Sequence, residues 1–195
     1  MFTGIIEVMS DVLKEETVDS LMELTIARPE DWDICIGQSI AVEGVCLTVE
    51  AFDDRQFTVK LMGETLAKTT FGTKVPTRVN LERAMAANGR FEGHVVQGHV
   101  DCAGSVTAIG ETDGWHTVTF SYPTELAHLI VQKGSITVNG VSLTVVDPTP
   151  GQFSVALIPH TLTNTTLGTL AEGDMVNLEF DILGKYILNG NQCSC

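Results

Sequence analysis

The chain has 195 residues, 44% of them hydrophobic, and sets 25 acidic against 11 basic side chains for a formal net charge of -14. That length and apolar content suit one large domain or two of about 100 residues with real cores, and they are not the make-up of a disordered acidic chain. The charge argues against nucleic acid and anionic membrane surfaces, which are bound by neutralising phosphate with Lys and Arg, and aromatic residues, at 6%, are too few for a base-stacking platform. The expected ligand is a neutral or weakly charged small molecule, with no nucleic-acid partner and no membrane partner.

The opening segment, MFTGIIEVMSDVLKEE, has no basic region ahead of a long apolar run and does not read as a signal or transit peptide. No stretch approaches the roughly 20 apolar residues of a membrane-spanning helix. Cys35, Cys46, Cys102, Cys193 and Cys195 form an odd, sparse set, which predicts free thiols in a reducing compartment and a cytoplasmic protein. Pro29 to Ile34 carries brief helical patterning. Ser39 to Val49 (SIAVEGVCLTV) reads as a hairpin turning at Glu43-Gly44, and Phe57 to Leu61 as a further strand. The blocks ETLAKTTFG (Glu64 to Gly72) and VNLE (Val79 to Glu82) follow, and then a connector at Ala87 to Arg90.

Beyond the connector the same blocks return. Asp113-Gly114 sits between TAIGE and WHTVTF as a hairpin turn, and Pro123 to Val131 is the counterpart of Pro29 to Ile34. SITVNGVSLTV (Ser135 to Val145) repeats Ser39 to Val49 and turns at Asn139-Gly140, the strongest short hairpin signal. Phe153 to Ile158 is a strand, HTLTNTTLG (His160 to Gly168) repeats Glu64 to Gly72, and VNLE returns at Val176 to Glu179. The blocks keep their order at an offset of about 96 residues, longer than solenoid periods. TGII (Thr3 to Ile6) aligns more weakly with QGHV (Gln97 to Val100). Asp181 to Leu188 is helical, Asn189-Gly190 is a stop signal, and the Cys193-Ser194-Cys195 end is a frayed tail. The expected architecture is all-β, two similar barrels in tandem from an internal duplication with a short C-terminal helix, divided as 1–94, 95–180 and 181–195.

A duplication lets the two copies be compared with each other. Ser39/Ser135, Thr48/Thr144, Thr65/Thr161, Thr69/Thr165 and Thr70/Thr166 are kept in both. Neutral hydroxyls donate and accept hydrogen bonds and suit an uncharged polar heterocycle or polyol, while the plain alternative is that Thr is common in strands. Other positions differ in chemistry: Cys46 against Ser142, His99 against Ile5, Glu64 against His160, Gly63 against Pro159. Thiol and imidazole are groups that act as acid, base or nucleophile near neutral pH, although a Cys in an apolar strand is more often a small core residue. His94 and His99 in GHVVQGHVD have an odd spacing that puts their rings on opposite faces of a strand, against a shared metal.

These blocks, with MFTGI at the start, GVCLTV at Gly44 to Val49, GHVVQGHVD at Gly93 to Asp101, VNGVSLTV, IPHTLTNTTLG and VNLEFDILGKY, resemble the riboflavin synthase family over essentially the whole chain. The resemblance implies two six-stranded Greek-key barrels and a C-terminal helix that helps assemble a homotrimer. It implies a dismutation of two 6,7-dimethyl-8-ribityllumazine molecules to riboflavin and 5-amino-6-ribitylaminouracil by four-carbon transfer, with no metal and no redox cofactor. Lumazine synthase, which makes the substrate, is a possible partner.

Carried over by position, the first pocket would be lined by Gly4, Ile5 and Ile6, by Cys46, Leu47 and Thr48, and by Lys60, Leu61, Met62, Gly63, Glu64 and Thr65. The second would use Gly98, His99, Val100 and Lys133, with Val141, Ser142 and Leu143, and then Leu157, Ile158, Pro159, His160, Thr161 and Leu162. Phe2, Ser39, Cys46, His99, Ser142, Thr144 and Asp181 match positions that the family associates with catalysis. Glu43 stands where the family more usually has Asn, and little effect is expected at a turn tip. The rival reading is a non-catalytic lumazine-binding relative of the kind that serves bacterial light emission; the retained Cys46, His99, Ser142 and Thr144 speak for the enzyme.

Overall fold

The computed structural model describes residues 1–19, 21–112 and 114–192. The first copy forms β1 (Val8–Val18), β2 (Leu21–Ala27), β3 (Ser39–Val42), β4 (Val45–Phe52), β5 (Gln56–Leu61) and β6 (Arg78–Arg83), closed into a barrel in the order β1-β2-β5-β4-β3-β6. Closure rests on two bulged strands. β1 pairs with β6 up to Asp11 and with β2 from Val12, with a register shift between Val12 and Lys14. β4 passes from β3 at Thr48 to β5 at Val49, with a shift between Val49 and Ala51. An extra residue bends the strand and lets one strand serve two neighbours.

The second copy repeats this order with its fourth strand divided. Its strands are β7 (Cys102–Thr112), β8 (Trp115–Ser121), β9 (Ser135–Val138), β10 (Val141–Thr144), β11 (Val146–Thr149), β12 (Gln152–Leu157) and β13 (Met175–Phe180). They form one curled sheet, β10-β9-β13-β7-β8-β12-β11, whose ends β10 and β11 are joined through Val145. Asp147, at φ 45°, and Pro148, which has no N–H to give, lie at the register shift between Val146 and Thr149 in the β11–β12 ladder. Each barrel has its own core, around Phe57, Leu61, Ile26 and Phe71 in the first and Phe120, Phe153, Phe180 and Leu157 in the second. Asp113 lies outside the described residues, as do Cys193 and Cys195, so the predicted turn there is represented by its flanking pair Thr112 and Trp115.

Helical predictions fare less evenly. Thr124–Leu129 forms a short 3-10 helix. Pro29 to Ile34 makes only a turn, closed by Trp32 N–H on the Pro29 carbonyl, because the Arg28 guanidinium takes the Trp32 carbonyl that a longer helix would use. Two six-residue helices, α1 (Gly63–Lys68) and α2 (Pro159–Asn164), overlap the repeated TL-x-x-TT blocks and follow β5 and β12. Gly72 and Gly168 close the turns after them. A Cβ at either would lie 2.1 Å from the Leu66 carbonyl oxygen or 1.8 Å from that of Leu162, so the motif requires glycine. The C-terminal α3 (Ile182–Gln192) runs through Asn189-Gly190 instead of stopping there. An interior glycine costs only about 1 kcal/mol, too little to end a helix by itself.

The two barrels meet hairpin tip to hairpin tip. Glu43-Gly44 and Asn139-Gly140 all have positive φ, and a Cβ on Gly44 would fall 2.6 Å from the Gly140 backbone nitrogen. Around this contact Asn80 donates to the Asn139 carbonyl and Asn177 to the Glu43 carbonyl. The Asn177 and Asn80 amide oxygens receive the Thr70 and Thr166 N–H groups. Glu43 is therefore no tolerant turn tip: it is 3% exposed, and its carboxyl receives the Asn80 N–H at 2.6 Å and faces the Thr166 hydroxyl at 3.1 Å. Asn139 meets the Asn177 N–H in the same way with a neutral amide.

Burial pushes the Glu43 carboxyl from its ordinary 4.5 up to about 8, against the hydrogen bonds from Asn80 and Thr166. The folded protein thus keeps a proton that the unfolded chain releases. Stability from this group is complete below the unfolded value and is lost as pH rises through the folded one. Glu43→Gln, which keeps the acceptor for Asn80, is expected to match the wild type in Tm near pH 4.5 and to exceed it progressively toward pH 9, where the unfolding free energies differ by on the order of a few kcal/mol. Parallel Tm profiles for the two proteins would show that Glu43 does not titrate in this window.

Candidate functional site

Each barrel receives on its surface a segment from the other copy. The N-terminal residues leave the first barrel and lie on β10, where the Ser142 N–H donates to the Gly4 carbonyl at 2.7 Å. Residues after the connector return to β4, where the Cys46 N–H donates to the Gly98 carbonyl at 2.8 Å. Gly4 and Gly98 have φ of 78° and 76°, and a Cβ on either would come within 2.6 Å of the Ser142 or Cys46 Cβ. Ile6 accordingly packs with the second core and Val100 with the first. Within the chain, Gly4, Ile5 and Ile6 go with Ser142, and Gly98, His99 and Val100 go with Cys46, the opposite grouping from the one carried over by position.

Buried carboxylates fasten both crossings. Glu82 accepts from the Thr3 N–H at 2.6 Å, the Thr3 hydroxyl at 2.8 Å and the Gly4 N–H at 3.0 Å. Glu179, its repeat partner, accepts from Gln97, Gly98 and His99 N–H groups at 2.7, 2.9 and 3.1 Å. Burial raises both carboxyls above the ordinary range, and the donated N–H groups pull them back. The acid identical in both VNLE blocks was the available signal for this pair, and sequence reasoning left it unused. Phe2 is fully buried at the seam, its backbone bridged to Val96 by bonds of 2.7 and 3.1 Å. It shapes the crossing and exposes no side-chain surface.

The first site gathers Cys46, Leu47 and Thr48 of β4, the crossing residues Gly98 to Val100, and the end of β5 running into α1. Ser39 faces Thr48 across the β3–β4 ladder. Lys60 lies 3.7 Å from Glu23, while Met62, Gly63 and Glu64 are exposed at the mouth and Thr65 is half-buried. The second site gathers Val141, Ser142 and Leu143, exposed Thr144, the crossing Gly4 to Ile6, and Lys133 at φ 64°. Leu157 closes β12, and Ile158 leads into α2 with Pro159, His160, Thr161 and Leu162. Asp181 caps α3, its carboxylate taking the Leu183 N–H at 3.0 Å, and its charge acts on His94.

Several shared hydroxyls serve the frame. Thr69 and Thr165 donate to the Thr65 and Thr161 carbonyls at 2.8 Å, and Thr166 is engaged with Glu43 and Asn80. Repetition of these residues marks folding, whereas Thr48 and Thr144 remain exposed. His94, considered in the sequence only as a metal ligand with His99, is instead half-buried against Ser142, while His99 is tied by its backbone to Glu179 on the way to the first barrel.

The lumazine binding domain model matches the chain twice, over residues 3–84 and 97–181. Riboflavin synthase of Actinobacillus pleuropneumoniae is 47% identical over 96% of this chain and 88% of its own length. Those of Mycobacterium bovis and Bacillus subtilis are 46% and 43% identical, again over 96% of this chain and over 96% and 88% of their own lengths. The solved structure of LumP complexed with riboflavin has a TM-score of 0.83 at 26% identity, over 92% of this chain and 99% of that one. LumP complexed with 6,7-dimethyl-8-(1'-D-ribityl) lumazine, at 24% identity and a TM-score of 0.81 over the same shares, supports the fold. With both domain matches in order and relatives of this identity along nearly its full length, the chain belongs to the riboflavin synthase family of tandem lumazine-binding proteins.

Proposed function

We propose that the protein is the enzyme of riboflavin formation: two molecules of 6,7-dimethyl-8-ribityllumazine react, one giving a four-carbon unit to the other, and riboflavin and 5-amino-6-ribitylaminouracil leave. The observation that carries this reading is the pair of repeated sites with unlike chemistry. Gly98 lies on Cys46 in one and Gly4 on Ser142 in the other, on the same backbone frame. Two like pockets suit two identical ligands, and the differing side chains suit donor and acceptor roles. Cys46 and Ser142 supply or orient a nucleophile, and His99 and Thr144 handle the proton at the acidic C7 methyl of the lumazine. His99 goes with the first barrel and Thr144 with the second, and, in line with the family resemblance, the first barrel of one subunit is set against the second barrel of the next. Holding both substrates in reacting geometry supplies much of the acceleration.

The assembly proposed is a homotrimer. α3 leaves Leu183, Tyr186 and Ile187 59%, 70% and 65% exposed at i, i+3 and i+4, an apolar stripe on one face. The Lys185–Asp101 ion pair at 2.7 Å fastens the helix to the second barrel. Sedimentation at micromolar protein is expected to give trimer for the wild type and monomer for Leu183→Glu combined with Tyr186→Glu. The doubly substituted protein should lose turnover in parallel; a fully active monomer would rule out a site shared between subunits.

Incubated with 6,7-dimethyl-8-ribityllumazine alone and a chelator, the purified protein is expected to release one riboflavin for each two lumazines consumed. Tight binding without product would instead identify a non-catalytic lumazine-binding protein; LumP has been solved in complex with both the lumazine and riboflavin. His99→Ala should lower turnover by about 10²- to 10⁴-fold, the usual cost of losing general acid–base help. Near-full turnover of a normally folded His99→Ala protein would remove His99 from proton transfer.

A further inference from the structure

The pairing of His94 with Ser142 has no part in the mechanism proposed above. His94 Nδ1 lies 2.7 Å from Ser142 Oγ. The contact is built from both sides. Ser142 sits in β10 opposite Thr137, with its N–H fixed on Gly4. The His94 N–H donates to the Thr3 carbonyl at 3.1 Å, and Gly93 passes so close that a Cβ there would fall 2.0 Å from the Thr3 oxygen and 3.1 Å from the Ser142 Cβ. A glycine is therefore needed immediately before the histidine for the imidazole to reach the hydroxyl. In the first site Cys46 holds the corresponding place, and the histidine that crosses there, His99, is anchored through its backbone.

We propose that His94 is a positioning residue for Ser142: its Nδ1 accepts the hydroxyl hydrogen and holds Oγ in one rotamer, with a lone pair turned into the second-barrel site. Burial lowers the imidazole's proton affinity, opposed by the Asp181 carboxylate, which suits the neutral ring such an acceptor requires. The ring must then carry its proton on Nε2. The inference rests on the reading of Ser142 as the group that supplies or orients the nucleophile, and it distinguishes the two sites: one has an oriented hydroxyl, the other a thiol with no such imidazole against it among the described residues.

The test is a set of variants read by kcat, KM and Tm. His94→Leu is expected to lower kcat about 10- to 100-fold with KM little changed, the scale of a misplaced reacting group. His94→Asn, whose Oδ1 can stand in the place of Nδ1, should regain most of that loss. In a Ser142→Ala background His94→Leu should add nothing further, since paired residues are non-additive. A kcat within twofold of wild type for His94→Leu, or a loss of the same size in both backgrounds, would overturn the proposal, because a purely structural histidine would act alike with or without the hydroxyl. Should the wild type make no riboflavin, the proposed function falls, and the pairing is still decided by imidazole ¹⁵N shifts. An unprotonated Nδ1 whose shift moves in Ser142→Ala supports it, and a protonated Nδ1 or an unmoved shift overturns it.

Discussion

The crossing of two short backbone segments between the barrels is the constraint on which the rest of the molecule depends. Gly4 must lie on Ser142 and Gly98 on Cys46, with backbone hydrogen bonds of 2.7 and 2.8 Å and no room for a Cβ. Glu82 and Glu179 gather the N–H groups that such a crossing leaves without a strand partner. Buried polar groups must be satisfied or cost about 1–3 kcal/mol each, and among the described residues every buried side-chain polar atom has its partner. The two carboxylates are thus part of the barrel frame although they sit beside the site, and their raised proton affinity reflects that burial.

On this near-symmetric frame the chemistry departs from symmetry at a few points. Cys46 and Ser142 share a backbone environment and differ in one atom of the side chain. Glu43 and Asn139 share a turn conformation, yet one carries a buried acid and the other an amide. The frame can hold such differences because its own requirements, glycines at the crossings and Asn80 and Asn177 across the seam, fall on other residues. A duplicated fold in this state offers two like frames that carry unlike side chains.

Much of this was legible in the sequence for identifiable reasons. Asn139-Gly140 announces a turn with positive φ twice over, and β-branched alternation on either side gives the strands. The repeat itself located both barrels. What the sequence concealed was long-range: nothing in TGII or QGHV tells which barrel each segment will lie on, so the site residues were grouped by position in the chain and the structure groups them the other way. Glu43 looked like a surface residue because Glu mostly is one; only the approach of Gly44 to Gly140 from the second barrel buries it. α1 and α2, six residues each, are too short to show a helical period, and the repeated threonines marked their turns rather than a ligand. The local spacing of His94 points to His99, five residues away, whereas its partner stands 48 residues on.

The crossing also has a consequence for the order in which the protein can be completed during synthesis. All six strands of the first barrel have been made once Arg83 has left the ribosome, and Glu82 is then available to Thr3 and Gly4. Phe2, however, has no bridge until Val96 emerges, and the Gly4 carbonyl has no donor until Ser142 does. Residues at this crossing are thus among the last to be settled: Phe2 can meet Ala41 within the first copy, yet its cover is completed only once Val96 is made, at roughly 5–20 residues per second. A barrel whose strands are all made therefore still lacks, at the crossing, the partners that only the second copy brings: Val96 for Phe2, Gly98 for Cys46 and Ser142 for Gly4.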